Sequence, residues 1–356
     1  QESTLGPRNA SAVMENYDYD NYSYEYYEEE PPHGSQKEVS HIFSVVIYSI
    51  SFVLGVIGNG AVIWVTGFKT KKTVNTIWLL NLAVADFVFV LFLPFSIDYV
   101  VNDFHWNFGK ALCKVNSFIS IMNLFASVLF LTVISLDRYV ALVHLSWSQR
   151  NRTLRNSLIV CISVWITAAA LSTPSLIFRD TLTIQERVVC YNNFHDTDPH
   201  TAVVRHTVIV SIRTVVGFLI PFSTISVSGV MLVVKMRRSA TVKLTNFSKT
   251  VAAIIVAFFF CWAPYHVFSL MEITVHHNSQ LHDVLRTGFP LATSLAFFNS
   301  CLNPILYVFT GKKVKAILHR SCMEVTKHVL RDLSQAGSES VTLSDQNARS
   351  REENDG

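Results

Sequence analysis

The sequence predicts an all-α membrane protein, a bundle of seven transmembrane helices. Half of its 356 residues are apolar and only 15% are charged, whereas soluble globular proteins carry about 25% charged residues. The apolar residues gather in separate runs of about 20 or more, the length that crosses a hydrocarbon core of about 30 Å. Lipid offers no partner for a backbone amide, and barrel strands would alternate over about ten residues, so these runs must be helices. An ordinary cytosolic enzyme is therefore excluded.

The seven spans follow one another with short polar segments between them. They are predicted at residues 41–68, 75–101, 110–143, 156–178, 203–236, 247–275 and 285–309. More than twice as many lysines and arginines flank one set of span ends as flank the other, and the richer side is cytoplasmic by the positive-inside rule. An odd number of spans then places the N-terminus outside and the C-terminus inside, in a multi-pass protein of the plasma membrane.

The segments outside the bundle differ in composition. Residues 1–40 are acidic and tyrosine-rich, which predicts a disordered extracellular tail, and residues 41–309 form the bundle. Residues 310–331 place apolar side chains at helical spacing beside lysine and arginine, which predicts an amphipathic helix against the lipid of the inner membrane surface. Residues 332–356 predict a serine-rich cytoplasmic tail. The chain starts at Gln1, so we expect either that a preceding segment was removed or that the numbering starts after a processed segment.

Polar side chains inside the spans are costly and therefore informative. One group lies at comparable depth in the first, second, third and seventh spans: Asp86, Asn59, Ser127, Asn299 and Asn303. A carboxylate that faces amides and a hydroxyl without a basic partner favours a sodium ion or a proton. A hydrogen-bonded packing network without an ion is the alternative. Sodium is the one cofactor that we consider, and no other metal site is predicted.

Three short motifs end or interrupt spans. Asp137-Arg138-Tyr139 ends the third span at its cytoplasmic edge, which alone is also typical of a snorkelling helix end. Cys261-Trp262-Ala263-Pro264 interrupts the sixth span, and Asn303-Pro304-Ile305-Leu306-Tyr307 closes the seventh. Each proline removes a helical hydrogen bond and permits a kink, so both positions are candidate hinges.

Together these motifs resemble the rhodopsin-like family of G-protein-coupled receptors, over residues 41 to about 325. The seven landmarks are Gly58-Asn59, Leu82-Ala83-Val84-Ala85-Asp86, Asp137-Arg138-Tyr139, Trp165, Pro221, Cys261-Trp262-Ala263-Pro264 and Asn303-Pro304-Ile305-Leu306-Tyr307. The resemblance implies a receptor, not an enzyme, in which an agonist drives the sixth span outward. It implies that Arg138 leaves Asp137 to face a heterotrimeric G protein and that Asp86 holds sodium in the resting state. Arrestin and receptor kinases are the other implied partners, and nucleic acid is not one.

One residue departs from the family pattern. Eight residues after Pro221 the family usually has a tyrosine that meets Arg138 and the Tyr307 position in the active state, and here the residue is Gly229. Glycine leaves a small gap facing the sixth span. We therefore expect weakened signalling through the G protein, which the resemblance implies is of the Gi class.

The cysteines separate by side of the membrane. Only Cys113 and Cys190 face the oxidising side, so we expect a disulfide between the outer end of the third span and the loop between spans four and five, as in the family. Two free surface thiols are the alternative. Cys322 in the inner amphipathic segment is a candidate for palmitoylation, and an unmodified contact with lipid is its alternative.

Both tails contain candidate modification sites. The outer tail places Tyr17, Tyr19, Tyr22, Tyr24, Tyr26 and Tyr27 among acids, the context that a tyrosine sulfotransferase accepts. Asn9 and Asn21 begin glycosylation sequons on the outer side. The inner tail interleaves Ser338, Ser340, Thr342 and Ser344 with acids, so its phosphorylation would present closely spaced negative charge to arrestin. Unmodified tails are the alternative, and even then the outer one favours a basic partner.

A ligand cavity is expected among the outer halves of the spans. Ser120 stands where monoamine receptors carry an aspartate and Phe297 where opsins carry the retinal lysine, so a small amine or retinal is not expected. Arg213 lies deep in the fifth span, eight residues before Pro221. A buried cation without an acid in its own helix requires an anion, and snorkelling is the alternative.

Two further arginines and two acids lie near the outer span ends. Arg179, at the end of the fourth span, and Arg205, near the start of the fifth, can join Arg213 in binding a carboxylate such as a peptide C-terminus. Asp98 and Glu272, at the outer ends of spans two and six, can instead neutralise these arginines or contact positive groups of a ligand.

Several short segments narrow the resemblance to the chemerin receptors in the chemoattractant branch. They are Phe104-His105-Trp106-Asn107-Phe108-Gly109, Phe178-Arg179-Asp180-Thr181, Cys190-Tyr191-Asn192-Asn193-Phe194, Pro264-Tyr265-His266 and His276-His277-Asn278-Ser279. This resemblance implies a secreted protein or peptide ligand, chemerin, whose processed C-terminus enters the cavity, and arrestin recruitment with modest G-protein output.

The alternatives are a receptor for an anionic lipid such as prostaglandin D2, a formyl-peptide receptor, and a scavenging receptor with little G-protein output. A transporter or intramembrane enzyme is disfavoured, because the spans hold no second carboxylate or histidine cluster suited to metal or proton relay.

Overall fold

The computed structural model describes residues 34–184, 186–194, 199–238, 246–275 and 281–310. Its helices are α1 (Gly34–Trp64), α2 (Val74–Val101), α3 (Gly109–Val143), α4 (Leu145–Asn151), α5 (Leu154–Phe178), α6 (Pro199–Thr214), α7 (Ile220–Arg238), α8 (Asn246–Val275) and α9 (Leu281–Thr310). Two strands, β1 (Arg179–Ile184) and β2 (Arg187–Asn192), follow α5. A π-helical turn extends α1 over Val65–Lys69, and another joins α6 to α7 over Val215–Leu219.

Seven helical spans make up the bundle, as the sequence predicts. The first to third are α1, α2 and α3, the fourth is α5, the fifth is α6 with α7, and the sixth and seventh are α8 and α9. Judged over the described residues, six of them are long and apolar enough to cross a membrane. The seventh, α9, is of similar length, and it carries buried Asn299, Ser300 and Asn303 that lower its hydropathy.

The third span lies at the centre of the bundle. It packs against the second, fourth, fifth and sixth spans, while the first span bridges the second and seventh. Phe125, Phe130 and Leu131 are at most 1% exposed, so this helix is enclosed by its neighbours. Because lipid is as apolar as these side chains, close packing and polar contacts hold such helices together. Polar residues on the third span therefore meet those of several neighbours.

Polar bonds also tie the outer helices of the bundle together. Trp165 Nε1 in the fourth span donates to Asn81 Oδ1 in the second at 2.9 Å. Ser294 Oγ in the seventh donates to Ser44 Oγ in the first, also at 2.9 Å. Each bond satisfies groups that lipid could not, so each pair specifies which helix faces are in contact.

Two elements between the spans were not predicted. The helix α4 fills the cytoplasmic connection between the third and fourth spans. The strands β1 and β2 form an antiparallel hairpin on the outer side, with Thr181 opposite Cys190 and Leu182 opposite Val189. Its threonines, valines and isoleucine are typical of strands. The bundle is all-α, and the hairpin is a small exception to that class.

The prolines of the candidate hinges lie inside continuous helices. The sixth span passes through Pro264 and the seventh through Pro290 and Pro304 without a break. Neither motif therefore ends a helix, and a hinge motion at these residues stays a prediction. The two π-helical turns, which each insert a residue into the helical hydrogen-bond pattern, are the irregular places in the described spans.

A glycine lets the first and seventh spans approach closely. A methyl group on Gly58 would lie 2.7 Å from Cβ and 2.9 Å from Cγ of Pro304. A proline ring cannot rotate away from such a contact, so the two helices would have to separate. Gly60, in the same helix, has more room, with Phe87 Cε2 at 3.5 Å from the equivalent position.

We therefore predict that Gly58→Ala lowers the thermal stability of the purified receptor in detergent, by about 1–3 kcal/mol of overpacking. Gly60→Ala is the matched control, because its methyl group meets only an ordinary van der Waals contact. Thermal unfolding followed by fluorescence checks both variants. Equal melting temperatures for the two variants would contradict the close approach at Pro304.

Candidate functional site

A buried carboxylate lies where the second, third and seventh spans meet. Asp86 is 0% exposed. Its Oδ2 accepts from Asn303 Nδ2 at 2.6 Å, and its Oδ1 accepts from Ser127 Oγ at 3.3 Å. No lysine, arginine or histidine of the described segments pairs with it. The structure thus brings together three of the residues predicted for the sodium site.

Two side chains that the sequence analysis missed complete this cluster. The amide nitrogen of Asn123 lies 3.1 Å from Asp86 Oδ1 when its oxygen accepts from Ser300 Oγ at 2.8 Å. Asn59, which was predicted here, donates instead to the Ser300 carbonyl at 2.9 Å. A signal was present for Asn123, since it lies one helical turn before Ser127 and faces the same way.

The Asp86 cluster is rich in oxygen atoms that accept and poor in groups that donate. The Oδ1 atoms of Asn59, Asn299 and Asn303 are buried and have no hydrogen-bond donor in the described part of the chain. Hard cations prefer oxygen ligands of this kind, from carboxylate, hydroxyl and amide groups. The residues present therefore fit a small cation held at Asp86.

The cytoplasmic end of the third span is an ion-paired cluster. Arg138 Nη2 donates to Asp137 Oδ2, and the two side chains are 13% and 10% exposed. Tyr139 does not join the pair; its ring packs edge-on against His144, with 5.6 Å between centroids. Asp137 and Arg138 are thus bonded to each other, and Tyr139 packs against the residue that precedes α4.

A second arginine, which the sequence analysis missed, shares the same carboxylate. Arg152 Nε lies 2.7 Å from Asp137 Oδ1, and its Nη2 lies 3.1 Å from Oδ2. Asn75 Oδ1, at the start of the second span, accepts from both Arg138 and Arg152. Asp137 is therefore bound by two guanidinium groups, one from its own helix and one from the loop that follows α4.

Gly229 lies on the cytoplasmic half of the fifth span, beside an open space. No atom of the described neighbouring residues lies within 4 Å of the position that its Cβ would occupy. The preceding residue, Ser228, makes the contact with the third span instead, through a 2.8 Å bond between its hydroxyl and that of Ser135. The gap predicted from the sequence is present, and a larger side chain could be accommodated there.

Arg213 projects from the fifth span toward the sixth. Its Nη1 donates to the Tyr265 hydroxyl at 2.7 Å. No carboxylate of the described residues lies within ion-pairing distance of it, so neither Asp98 nor Glu272 neutralises this guanidinium. Arg213 is half-buried, and its bond to the sixth span shows that it does not snorkel toward the membrane surface.

Tyr265, the partner of Arg213, belongs to a group of polar and aromatic side chains on the sixth span. The Tyr265 ring packs edge-on against Trp262, with 5.6 Å between centroids. His266 is 2% exposed; its Nδ1 lies 3.4 Å from Thr214 Oγ1, and its Nε2 has no partner among the described residues. The Tyr265 side chain therefore connects the Arg213 guanidinium to Trp262.

The hairpin is fixed to the outer end of the bundle. Cys113 and Cys190 form the expected disulfide, which ties the third span to β2. Trp106 N–H, in the loop after the second span, donates to the Val188 carbonyl at 2.7 Å. Lys110 Nζ lies 2.9 Å from Asp180 Oδ2. These contacts attach the hairpin to the outer ends of the second and third spans.

The pKa of Asp180 reflects this attachment. Burial of the carboxyl opposes its ionisation, but hydrogen bonds from Lys110 and the Thr181 N–H, the positive charge of Lys110 and a hydrogen bond from Asn193 outweigh it. The pKa of Asp180 therefore lies below its ordinary value. The Asp180 carboxyl group is therefore ionised at neutral pH, where it pairs with Lys110.

The other predicted ligand residues lie near the outer ends of the spans. Arg179 directly follows the fourth span as the first residue of β1, and its Nη1 donates to the Cys190 carbonyl at 3.3 Å. Arg205 stacks over the Phe178 ring at 5.9 Å. Glu272 lies 3.8 Å from His206 Nε2, and Asp98 accepts from Asn107 at 3.1 Å. None of these four contacts Arg213.

Several predicted sites lie outside the described residues. They are the tail sites Asn9, Asn21, Tyr17, Tyr19, Tyr22, Tyr24, Tyr26 and Tyr27, the inner helix of residues 311–331 with Cys322, the phosphorylation sites Ser338, Ser340, Thr342 and Ser344, and the side chain of Tyr307.

Comparison with known proteins identifies the family. The sequence pattern of the 7 transmembrane receptor (rhodopsin family) matches residues 58–307, which is well over half of the chain. The chain belongs to the rhodopsin-like G-protein-coupled receptors. Members of this family are multi-pass receptors of the plasma membrane, not enzymes. The seven landmarks thus identified the family correctly.

Relatives within the family narrow the comparison. The chain is 49% identical to chemerin-like receptor 2 of Macaca mulatta over 330 residues, which cover 92% of this chain and 93% of that protein. It is 48% identical to human chemerin-like receptor 2 over the same length. Chemerin-like receptor 1 of Rattus norvegicus is 45% identical over 299 residues, or 80% of each chain. The resemblance to the chemerin receptors is therefore confirmed for nearly the whole receptor.

Proposed function

We propose that this receptor is activated by chemerin, a secreted chemoattractant protein whose processed C-terminus enters the cavity. The observation that carries the proposal is the half-buried Arg213, which has a tyrosine hydroxyl as its partner and no described carboxylate. A guanidinium in this setting gains a strong, charge-assisted bond from an incoming carboxylate. The names of the similar receptors support the same ligand.

The contacts around Arg213 suggest how binding is transmitted. A ligand carboxylate that draws the guanidinium also acts on the Tyr265 hydroxyl bonded to it. The Tyr265 ring packs on Trp262, which lies two residues before Pro264. A shift of Tyr265 therefore reaches the place where a proline has removed a helical hydrogen bond. The ligand favours whichever conformation of the sixth span fits this altered contact.

A paired test on the receptor and the ligand checks the role of Arg213. We expect Arg213→Ala to weaken binding of a synthetic chemerin C-terminal peptide by about tenfold to a hundredfold, the range for a hydrogen bond to a charged group. The same peptide with an amidated C-terminus should bind the unsubstituted receptor weakly and lose little more on Arg213→Ala. Arg187→Ala, which removes an exposed arginine of the hairpin, is the control.

Other outcomes of this binding experiment identify other ligands. Equal losses for the free and the amidated peptide would mean that Arg213 does not bind the C-terminus. A lipid-mediator receptor is the second candidate, because Arg213 also suits a fatty-acid carboxylate. Deleting the acidic residues 1–30 separates the two: it should weaken binding of a large basic protein at low salt and spare prostaglandin D2.

We propose that the receptor signals through arrestin more strongly than through a G protein of the Gi class. Gly229 supports this, since it provides no side chain where the family usually has a tyrosine. Because no described neighbour lies within 4 Å of the Gly229 Cβ position, we expect Gly229→Tyr to fold and to raise G-protein activation several-fold. Arrestin recruitment should change little.

Gly229→Ala is the matched control, because it adds a Cβ without a hydroxyl group. Parallel G-protein and arrestin assays in the same cells measure both outputs. No gain from Gly229→Tyr would mean that the weak coupling originates elsewhere, as in a scavenging receptor. The phosphorylated inner tail, from Ser338 to Ser344, is the proposed arrestin contact, with receptor kinases supplying the phosphates.

We also propose that Asp86 holds a sodium ion in the resting state. Asp86 is fully buried, neutral side chains donate to it, and Asn59, Asn299 and Asn303 have buried amide oxygens without a described donor. Replacing choline by sodium at about 150 mM should lower agonist affinity several-fold in the unsubstituted receptor, and Asp86→Asn should abolish the effect. An affinity that is equally insensitive to sodium in both proteins would favour the packing network without an ion.

A further inference from the structure

The two guanidinium groups on Asp137 are not equivalent. Arg152 binds in the bidentate manner, with Nε 2.7 Å from Oδ1 and Nη2 3.1 Å from Oδ2. Arg138 contacts Oδ2 alone. A two-point bond between a guanidinium and a carboxylate fixes orientation as well as distance. Arg152 is therefore the better-placed of the two partners, although it comes from the loop.

The backbone around Arg152 is held on both sides. Its N–H donates to the Ser148 carbonyl at 2.9 Å, which closes the end of α4. The next residue, Thr153, caps the fourth span by accepting from the Asn156 N–H at 3.2 Å. Ser148 itself is buried. Arg152 is thus placed by two helix ends and keeps its position without help from Arg138.

The burial of Asp137 makes the second partner important. Its side chain is 10% exposed, so water reaches it poorly. If Arg138 left and nothing replaced it, a nearly buried carboxylate would be stranded, which is strongly unfavourable. With Arg152 in place, both carboxylate oxygens stay bonded. The two arginines also repel each other, which favours the departure of Arg138, since it meets the carboxylate through one bond and Arg152 through two.

We propose that Arg152 is a positioning residue for activation, which retains Asp137 when Arg138 leaves and so lowers the free energy of that step. The inference rests on the proposed function, in which Arg138 leaves Asp137 to face the G protein. Asn75 assists, because its Oδ1 accepts from both arginines and stays bonded to Arg152 after the exchange. Arg152 therefore favours activation and is not a second lock.

The test measures the position of the sixth span directly. The purified full chain carries Cys322→Ser, together with Lys71→Cys and Ala252→Cys near the cytoplasmic ends of the second and sixth spans. Spin labels on the two introduced cysteines report the distance between these span ends. Recombinant processed chemerin is the probe. We expect Arg152→Ala to lower the ratio of active to inactive distances at saturating chemerin by about fivefold or more, the usual range of coupling between sites.

Three further variants separate this role from a merely structural one. Arg150→Ala removes an exposed arginine of the preceding helix α4 and should leave the ratio unchanged. Arg152→Lys keeps the charge without the two-point geometry and should be intermediate. In an Asp137→Asn background there is no carboxylate to retain, so Arg152→Ala should have little further effect. If Arg152→Ala does not fold, Arg152→Gln, which retains one amide donor, should show a smaller decrease in the same direction.

Distinct results overturn the inference. An unchanged ratio, or a higher one, for Arg152→Ala would show that Arg152 is neutral or a lock. The same fivefold decrease in the Asp137→Asn background would show that it acts through another contact. Failure of the proposed function looks different: chemerin would then produce no displacement of the sixth span even in the chain that carries only the labels and Cys322→Ser.

Discussion

The bilayer core contains no water to satisfy a polar group, and the rest of this structure follows from that constraint. The backbone meets it by forming helices. The few charged side chains at depth meet it in three ways: Asp86 among neutral amides and hydroxyls, Arg213 against the hydroxyl of Tyr265, and Asp137 between two guanidinium groups. In each of these three clusters, another group can replace one bond of the charged side chain. The clusters can therefore respond to a ligand, an ion or a protein.

The three clusters are connected through shared helices. The third span carries both Ser127, which bonds Asp86, and Asp137 at its cytoplasmic end. The sixth carries Tyr265 and Trp262 above Pro264. The seventh carries Asn303, which bonds Asp86 directly before Pro304. Rearranging one cluster therefore changes the packing of a helix that belongs to another. The measurements on Arg213, Asp86 and Arg152 quantify this coupling.

The sequence predicts what depends on composition and on order along the chain. The spans are predicted from the length of the apolar runs, and the Asp86 cluster from polar residues at equal depth in different spans. The Cys113–Cys190 pair is predicted because both cysteines face the outer side of the membrane. It does not reveal which loop residue returns to which helix end. Arg152 follows a seven-residue helix whose direction is set by packing, so its contact with Asp137 has no local signature. The sequence analysis singled out Tyr265 only within the segment Pro264-Tyr265-His266, which resembles the chemerin receptors. Its contact with Arg213 could not be predicted, because it depends on the rotation of the sixth span relative to the fifth.

The outer hairpin is held in place by contacts within the receptor itself. The disulfide, the Trp106–Val188 bond and the Lys110–Asp180 pair hold it against the second and third spans, with Arg179 bonded inside it at the Cys190 carbonyl. A ligand that contacts this hairpin does not have to order it first, so little binding free energy is lost to loop entropy. More of that free energy is then available at Arg213, which bonds directly to the sixth span, the helix that has to move.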